Sequence, residues 1–201
     1  MTVLDRVVAD SSDRDSWMRY RHDRIGASDA AKFAKATSVE SYIAEKLAPR
    51  EFHGNTFTES GNRWEPMLCA FAGIPNSTLM IEHPNESGFI ATPDGLLETE
   101  CGLVMAECKT KHNKIVTGPD AREWRQLAWQ FFVIPESVEI RFIWGTIVDD
   151  ELRNGEPSIL TITRDDPKIV AATELIVPIA TRVLASIRAV RELEKELEIV
   201  Y

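Results

Sequence analysis

The sequence Thr92-Pro93-Asp94-Gly95-Leu96 is followed, thirteen residues beyond Asp94, by Glu107-Cys108-Lys109, and the segment between these two motifs decides the fold. It contains two apolar runs around a Glu-Cys-Gly turn, a pattern that predicts a β-hairpin. If the turn is centred on Glu100 and Cys101, Asp94 lies opposite Glu107. Side chains opposite each other on neighbouring strands are about 5 Å apart. A three-residue turn would change this pairing.

Two carboxylates this close together predict a cation site. They repel each other, so either one of them takes up a proton or a cation lies between them. A divalent metal is the usual cation for a cluster of oxygen ligands. Glu107 and Lys109 are two residues apart and share one face of their strand, whereas Cys108 points to the other face. The hairpin is therefore predicted to bring Asp94, Glu107 and Lys109 to one metal-binding face.

The composition is that of a globular protein. With 201 residues, 44% of them hydrophobic and 27% charged, the chain can form one domain with a sizeable core. We see no apolar stretch as long as a membrane span and no signal peptide, and we expect a cytoplasmic protein with no membrane partner. The cysteines Cys69, Cys101 and Cys108 form no CxxC pair, and they suggest neither a disulfide framework nor a zinc or iron–sulfur site.

The net charge of −9 argues against a protein that coats nucleic acid non-specifically. It leaves open a nuclease with a local basic groove, because bound metal ions would offset part of the acidic total. Basic residues outnumber acidic ones over residues 14–24 and again over residues 109–125. For these charge runs alone, solvated faces are the favoured interpretation.

Hydrophobic spacing and turn signals predict the order of the elements. Helices are expected over about 59–72, with Pro66 marking either its start or a bend, from about Pro119 to Val133, and over 167–198. Strands are expected at 79–82, 88–92, in the two arms of the hairpin, at 138–144 and at 158–163. This order predicts an α/β or α+β fold with a mixed central β-sheet flanked by helices. In the last helix, the apolar residues suit a core or an interface: Ile176, Ile179, Val183 and Ile187.

Four sequence blocks carry a resemblance to known proteins. They are Trp17-x3-Arg21-x3-Ile25-Gly26-Ala27-Ser28-Asp29, Gly61-x3-Glu65-Pro66, Ala91-Thr92-Pro93-Asp94-Gly95-Leu96 and Glu107-Cys108-Lys109, with a weaker fifth block around Gln126. In this order and spacing they resemble the phage-type alkaline exonucleases, the family of bacteriophage lambda exonuclease in the PD-(D/E)xK nuclease superfamily. The blocks cover about residues 17–145. The resemblance implies a restriction-endonuclease-like core, within one nuclease domain over residues 1–201 that ends in a strand and a long helix over 158–198.

The resemblance implies roles for the acidic residues and the lysine. Asp94, Glu107 and the backbone carbonyl of Cys108 would bind metal, Glu65 would contribute to a second metal site, and Lys109 would orient or activate the attacking water. Metal ions supply the nucleophile and the charge neutralisation that phosphodiester hydrolysis needs. The alternatives are a solvated hairpin with a salt bridge and, for Glu65, an acid that complements a helix dipole near its N-terminus.

The first block implies a pocket for the 5′-phosphate of DNA. Ser28 or Asp29 is expected to cap a helix, Gly26 to allow a close backbone approach, and Arg21 to add a phosphate contact. Trp17 would stack on a base near the same site. The alternatives are a plain helix cap with a surface arginine, and a tryptophan in the core.

A glutamine completes the implied site. The family usually has two glutamines separated by one residue, whereas here the second place is Ala128 and Gln130 follows two residues later. Gln126 and Gln130 are one helical turn apart, so either of them could take the role.

The function implied is a Mg²⁺-dependent 5′-to-3′ exonuclease on linear double-stranded DNA, with Mn²⁺ as a substitute and two ions per active site. The resemblance also implies a ring-shaped homotrimer, a single-strand annealing recombinase as partner, and a role in phage recombination inside the bacterial host. The alternatives are a restriction-type or structure-specific endonuclease, a non-catalytic DNA-end-binding protein, and a metal-binding protein with no nucleic-acid role.

Overall fold

The computed structural model describes residues 2–48, 56–112, 116–149, 151–153 and 155–199. The helices in these ranges are α1 (Arg14–Arg21), α2 (Ala27–Ala30), α3 (Val39–Leu47), α4 (Thr56–Phe71), α5 (Ala121–Val133) and α6 (Pro167–Ile199). The strands are β1 (Val7–Asp10), β2 (Leu79–His83), β3 (Glu86–Ala91), β4 (Gly95–Thr99), β5 (Gly102–His112), β6 (Ser137–Val148), β7 (Glu151–Leu152) and β8 (Ser158–Thr163). Short 3-10 turns lie at Leu4–Arg6 and Ala36–Ser38.

The predicted hairpin forms in the predicted register. Strands β4 and β5 pair antiparallel from Gly95 opposite Ala106 to Thr99 opposite Gly102, which leaves Glu100 and Cys101 as a two-residue turn. Strand β5 then pairs parallel with β6, and helix α5 makes the crossover between them. Strands β7 and β8 join β6 antiparallel. The central sheet is therefore mixed, and helices flank it, as the sequence predicts.

Alternate residues of β5 face opposite sides of the sheet. Leu103 and Met105 pack into the larger core together with residues of α5 and α6. Val104, Ala106 and Cys108 pack instead against Leu68 and Cys69 of α4. Because the alternation continues along the strand, Glu107 faces α5 and Cys108 faces α4. This confirms the prediction that Glu107 and Lys109 share a face from which Cys108 is excluded.

A second, antiparallel sheet carries the other half of the site. Its strand order is β1-β2-β3, and the β2–β3 hairpin confirms the prediction for residues 79–92. Ile25 pairs with Phe89 through an isolated parallel bridge, which fixes the segment between α1 and α2 against β3. The first sheet and the second therefore hold different sequence blocks of the same site.

Helix α6 is, within the described ranges, the helix long and apolar enough to cross a membrane by length and composition. The expectation that the chain has no such stretch is therefore wrong by this criterion, because isolated charges such as Glu174 and Arg182 do not remove the apolar character of the whole helix. Its apolar face is buried against α5 and α3. Ile176, Ile179, Val183 and Ile187 are at most 2% exposed, so they belong to the core.

The structure rules out two local alternatives. Helix α4 begins ten residues before Pro66, so Pro66 does not mark its start. The packing of Leu68, Cys69 and Ala72 against the sheet stabilises the helix around the proline. Helix α2 spans only Ala27–Ala30 with Gly26 as its N-cap, so neither Ser28 nor Asp29 is the cap.

Candidate active site

Asp94 is held at the edge of the hairpin by backbone and side-chain hydrogen bonds. Its amide donates to the carbonyl of Ala106 over 3.1 Å, which extends the β4–β5 ladder and places Asp94 opposite Glu107. Its Oδ2 accepts a 2.7 Å hydrogen bond from the amide of Cys108. Its Oδ1 accepts no hydrogen bond from the described residues, so this oxygen is available to a ligand.

Gly95 is required by a close approach of the backbone. A Cβ at this position would lie 2.8 Å from Cγ2 of Ile74 and 2.9 Å from the carbonyl oxygen of Pro75. Backbone atoms cannot move aside as a flexible side chain can. The Asp-Gly sequence therefore lets the loop at residues 74–76 pack directly over the start of β4.

Glu107 is almost completely buried, with 1% of its surface exposed, and three side chains donate to it. Gln126 donates to Oε1 over 2.6 Å, and Gln130 donates to Oε2 over 2.5 Å. Lys109 also donates to Oε1. Both glutamines therefore contact the carboxylate, one on each oxygen, because they are one helical turn apart on the face of α5 that covers β5.

Glu65 projects from α4 toward the same cluster. Asn76 connects it to the hairpin, since Nδ2 of Asn76 donates to Oε1 of Glu65 over 2.9 Å and to the carbonyl of Asp94 over 2.8 Å. Because Glu65 lies in the tenth position of α4, it is not near the helix N-terminus. The alternative that it complements the helix dipole is therefore wrong.

The electrostatics of this cluster are those of three acids with one lysine. Burial raises the pKa of Asp94 well above its ordinary value, and the charges of Glu107 and Glu65 raise it further. Burial and the charge of Glu107 also raise the pKa of Glu65. Burial by itself would lower the pKa of Lys109, but the charges of Glu107 and Asp94 outweigh it and raise this pKa. Lys109 is therefore protonated at neutral pH.

The donor set fits a divalent cation that also takes backbone or water ligands. Within the described parts of the chain, no three His, Cys, Asp or Glu side chains are grouped closely enough to hold a metal by themselves. The pair Asp94 and Glu107, with the carbonyl of Cys108 between Glu107 and Lys109, offers oxygen ligands of the kind that Mg²⁺ and Mn²⁺ prefer. Burial and the charges of Glu107 and Glu65 raise the pKa of Asp94, so a bound cation would favour its ionised form.

One cavity of about 440 Å³ joins this acidic cluster to the first sequence block. Its lining includes Glu65, Asp94 and Gln126 from the acidic cluster. It also includes Trp17, Arg21 and Ser28 from the first block. Glu107 and Lys109 are not part of the lining, but Glu107 hydrogen-bonds Gln126, which is. The structure therefore brings residues of four sequence blocks to one cavity.

The part of the cavity lining that comes from the first sequence block includes an arginine, a serine and a tryptophan. Arg21 donates to Oγ of Ser28, and its guanidinium lies 4.9 Å from the centroid of the Trp17 ring. The Arg21 side chain is only 23% exposed, so it is not a plain surface arginine. Trp17 is half-buried on a helix that has no buried residue, so it is not a core tryptophan. Among the described residues, Nε of Arg21 has no hydrogen-bond partner.

Gly26 meets no close approach from the described protein atoms, so its expected role toward an anion stays a prediction. A Cβ at residue 26 would meet its nearest atom, Nε of Arg21, at an ordinary contact distance of 3.6 Å. The amide of Gly26 instead donates to Oδ2 of Asp29 over 3.0 Å.

The basic runs are not simple solvated faces. Lys111 donates to Glu123, and Nε of Arg125 donates to the carbonyl of Ala31 over 2.9 Å. Arg24 donates to the carbonyls of Tyr20 and Ser87. Lys114, from the same run, lies outside the described residues.

Solved structures share this arrangement of elements. An alkaline exonuclease, LHK-Exo from Laribacter hongkongensis, superposes with a TM-score of 0.64 at 22% identity, over 91% of this chain and 99% of that one. The fold is that of an alkaline exonuclease. The same enzyme in complex with dAMP gives a TM-score of 0.61 at 20% identity, over the same shares of the two chains. A phage-related exonuclease from Haemophilus somnus 129PT gives 0.56 at 12% identity, over 85% of this chain and 96% of that one. Neither a protein-family model nor a curated protein sequence matches the chain.

Sequence reasoning missed two residues that hold the site. Asn76 lies in a loop with no periodicity, and only the fold shows that it bridges Glu65 and Asp94. Lys46 resembles a surface residue of an amphipathic helix, yet its side chain is 4% exposed and contacts Asp29. No sequence signal marks either residue, because each acquires its partner only through tertiary packing.

Proposed function

We propose that the protein is a metal-dependent exonuclease that degrades one strand of linear double-stranded DNA from a 5′-phosphorylated end and leaves a 3′ overhang. The single observation that carries this proposal is that Asp94, Glu65 and Gln126 line the same cavity as Arg21, Ser28 and Trp17. A volume of about 440 Å³ is that of a small-ligand pocket, which suits a terminal nucleotide better than an uninterrupted duplex. This combination suits an end-dependent enzyme, because an anion site beside the carboxylates can hold a terminal 5′-phosphate.

The cluster of acidic side chains would hold the metal. Asp94, Glu107 and the carbonyl of Cys108 would hold one Mg²⁺, and Glu65 would contribute to a second, with Mn²⁺ as a substitute. When bound, divalent ions supply a nucleophile at neutral pH and offset the negative charge on the phosphate. The hydrogen bonds from Gln126 and Gln130 hold the Glu107 carboxylate in a fixed orientation, and Asn76 does the same for Glu65.

Lys109 acts as a hydrogen-bond donor in this proposal. Its raised pKa keeps it protonated at neutral pH, so it has no lone pair with which to take a proton from water. A protonated amine beside the carboxylates can orient a hydroxide and stabilise charge that develops on the phosphate oxygens. Of the two roles that the resemblance implies, orientation of the nucleophile is therefore favoured over its activation as a base.

The residues of the first sequence block that line the cavity would bind the terminal phosphate. Arg21 offers a planar guanidinium that already donates to the hydroxyl of Ser28, so the two side chains can contact one phosphate together. Trp17 presents a ring on which a base can stack. The dAMP complex of LHK-Exo supports a nucleotide-sized site in this fold.

We further propose the assembly and partners that the resemblance implies. These are a homotrimer that encircles DNA, a single-strand annealing recombinase that takes over the 3′ overhang, and a role in phage recombination in the cytoplasm of the bacterial host. A ring would keep the cavity on the DNA end during successive cleavages. Sedimentation of the purified protein would test the trimer.

The test compares three substrates with Mg²⁺ and with chelator: linear duplex with 5′-phosphate, linear duplex with 5′-hydroxyl, and covalently closed plasmid. The proposal predicts Mg²⁺-dependent loss of linear duplex, faster with the phosphate, while the plasmid stays intact. Cleavage of the closed plasmid would favour an endonuclease. Binding of DNA ends without any cleavage would favour a non-catalytic end-binding protein, and metal binding without DNA binding would exclude a nucleic-acid role.

A further inference from the structure

Two free thiols lie next to the acidic cluster. Sγ of Cys69 is 3.4 Å from Sγ of Cys108, and both residues are buried in the smaller core between α4 and the central sheet. Cys69 is on α4, one helical turn after Glu65. Cys108 is on β5, between Glu107 and Lys109. The thiol pair therefore connects the two elements that carry the glutamates of the cluster.

The same two cysteines hold Asp94 in place. The amide of Cys108 donates to Oδ2 of Asp94 over 2.7 Å, and Sγ of Cys69 donates to the carbonyl of Asp94 over 3.4 Å. The carbonyl of Cys108 is itself one of the proposed metal ligands. A covalent change at these sulfurs therefore acts directly on the geometry of the proposed metal site.

The thiol pair is also close to the cavity. Asp94 and Asn76 line the cavity, and Sγ of Cys69 lies 3.4 Å from the carbonyl of Asp94 and 4.0 Å from Nδ2 of Asn76. Cys108 keeps 9% of its surface exposed. Hydrogen peroxide is scarcely larger than water, so among common oxidants it is the one suited to thiols that are this little exposed. The third cysteine, Cys101, is exposed in the hairpin turn, at the opposite end of the hairpin from Asp94.

We propose that Cys69 and Cys108 are a reversible oxidation site, at which hydrogen peroxide joins the two sulfurs as a disulfide and so inactivates the metal site. One thiol attacks the peroxide: an S–O bond forms, the O–O bond breaks, and water leaves with the thiol proton. The second sulfur attacks the resulting sulfenic acid, an S–S bond forms, and a second water leaves. Both sulfurs are oxidised and the two peroxide oxygens are reduced to water. This inference rests on the proposed function, because the carboxylates beside the pair are its metal ligands.

The disulfide would distort the site. A disulfide holds its sulfurs about 2 Å apart, so the two side chains must draw together from their 3.4 Å contact and pull on the backbones of α4 and β5. The thiol hydrogen that Cys69 donates to Asp94 is lost as well. Because thiols in the cytosol are normally kept reduced, the dithiol is the active form and peroxide turns it off.

The experiment uses the full-length protein with Cys101→Ser, so that the buried pair holds the remaining thiols and no dimer forms through Cys101. After treatment with hydrogen peroxide in chelator, the protein is denatured, alkylated with N-ethylmaleimide and weighed by mass spectrometry. We expect the loss of two hydrogen atoms and no alkylation. Digestion after glutamate separates Cys69 from Cys108, and the two peptides should remain joined until dithiothreitol is added. This readout needs neither DNA nor turnover.

The second readout is turnover of 5′-phosphorylated linear duplex with Mg²⁺. The oxidised protein should be about 10²-fold slower than the reduced one, as for a misplacement of about 1 Å in a catalytic site, and dithiothreitol should restore the rate. Cys69→Ser in the same background is the matched variant, because its hydroxyl can still donate to the carbonyl of Asp94 but it forms no disulfide. Its rate should be the same before and after peroxide. Cys69→Ala takes its place if the serine variant does not fold.

Three results would overturn the inference: both thiols still alkylated after peroxide, a disulfide with an unchanged rate, or an equal loss of rate in Cys69→Ser. A gain of oxygen that dithiothreitol does not reverse would also exclude a reversible disulfide. Failure of the proposed function has a different signature, since the reduced protein then degrades no DNA. In that case the mass still shows whether the disulfide forms, and the thermal stabilisation by Mn²⁺, which oxidation should abolish, still reports on the metal site.

Discussion

Asp94 lines the cavity and Asp29 pairs with Arg21, another residue of its lining, yet the pKa values of the two aspartates are shifted in opposite directions. Asp94 has Glu107 and Glu65 as its charged neighbours, and its pKa is raised. Asp29 has Lys46 and Arg21, and its pKa is lowered. Burial acts in the same direction on both, so the neighbouring charges make the difference. The acidic cluster has three carboxylates beside one lysine, which suits it to a further cation, whereas Asp29 lies beside two basic side chains.

The largest effect is expected when the ammonium group of Lys109 is removed from the acidic cluster. Lys109→Met keeps the length of the side chain but removes its charge and its bond to Glu107. We expect turnover of linear duplex to fall by about 10²–10³-fold, as for the loss of one charge-stabilising donor, while DNA binding in chelator is retained. Lys195→Met is the control, since this exposed lysine pairs only locally with Glu192. Wild-type turnover in Lys109→Met would remove the lysine from the mechanism.

Binding of a divalent cation to the carboxylates of the acidic cluster should stabilise the folded protein. At a Mn²⁺ concentration of about 100 times the dissociation constant, a single site raises the free energy of unfolding by about 2.7 kcal/mol. Asp94→Asn keeps an acceptor for the amide of Cys108 but removes a charged ligand, so most of this gain should disappear. Thermal unfolding with increasing Mn²⁺ measures it. An equal gain in both proteins would take Asp94 out of the ligand set.

Removal of the Arg21 guanidinium should weaken the preference for a 5′-phosphorylated end. Arg21→Ala should reduce the preference for 5′-phosphorylated duplex by about 10–100-fold, since hydrogen bonds to charged groups are worth about 1.5–3 kcal/mol. Arg19→Ala on the same helix is the control, because Arg19 is exposed and outside the cavity. Initial rates on the two linear duplexes give the comparison. Equal rates for wild type on the two duplexes would show that this end does not bind a phosphate.

Two glycines extend the comparison from charge to packing. Gly95→Ala places a methyl group 2.9 Å from the carbonyl of Pro75 and should lower the free energy of unfolding by about 1–3 kcal/mol. Gly26→Ala meets only ordinary contacts and should change stability much less. Denaturant unfolding of both variants measures the difference. If Gly26→Ala proves the more destabilising, the close approach at Gly95 is not what requires a glycine.

The pH dependence of the metal-free protein should show the smallest effect. The pKa of Asp94 is raised above 3.8 in the folded state, so the unfolded chain releases this proton at lower pH than the folded chain does. In chelator, the wild type should lose stability relative to Asp94→Asn as the pH rises from about 3.8 through the raised pKa. At more acidic pH the two should converge, because Asp94 is protonated in both states. A wild type that gains on the variant with rising pH would contradict the assigned environment.

Local patterns in the sequence were sufficient to predict the hairpin and its register. The two apolar runs leave room for a two-residue turn, and Asp94 then falls opposite Glu107 by counting. Strand β8 was predicted residue for residue, since its alternating segment is clearly bounded. Strand β1 was missed, because its four residues carry little pattern and the strand exists only as a partner of β2. Whether Pro66 begins or bends helix α4 could not be decided from the sequence, and the structure shows that the helix begins at Thr56.

The residues of the candidate site fall into the same two groups, those that local patterns predict and those that they do not. Asp94, Glu107 and Lys109 could be predicted, because strand alternation places them on one face. Arg21 and Ser28 needed the resemblance, and their proximity depends on the bridge between Ile25 and Phe89. Lys46 and Asn76 could not be predicted, because their partners are distant in sequence and neither residue is unusual for its element. The contact between Lys46 and Asp29 is recognised only once the chain has folded.

The central claim is that the acidic cluster and the Arg21 pocket act together on a DNA terminus. Its most direct test uses a linear duplex with a 5′-phosphate on only one strand. Each strand carries a different fluorophore at its 3′ end, and the reaction is followed with Mg²⁺ on a denaturing gel. The account predicts that the phosphorylated strand shortens first, from its 5′ end, while the other strand remains at full length. Shortening of either strand from its 3′ end, or internal fragments of both strands, would contradict it.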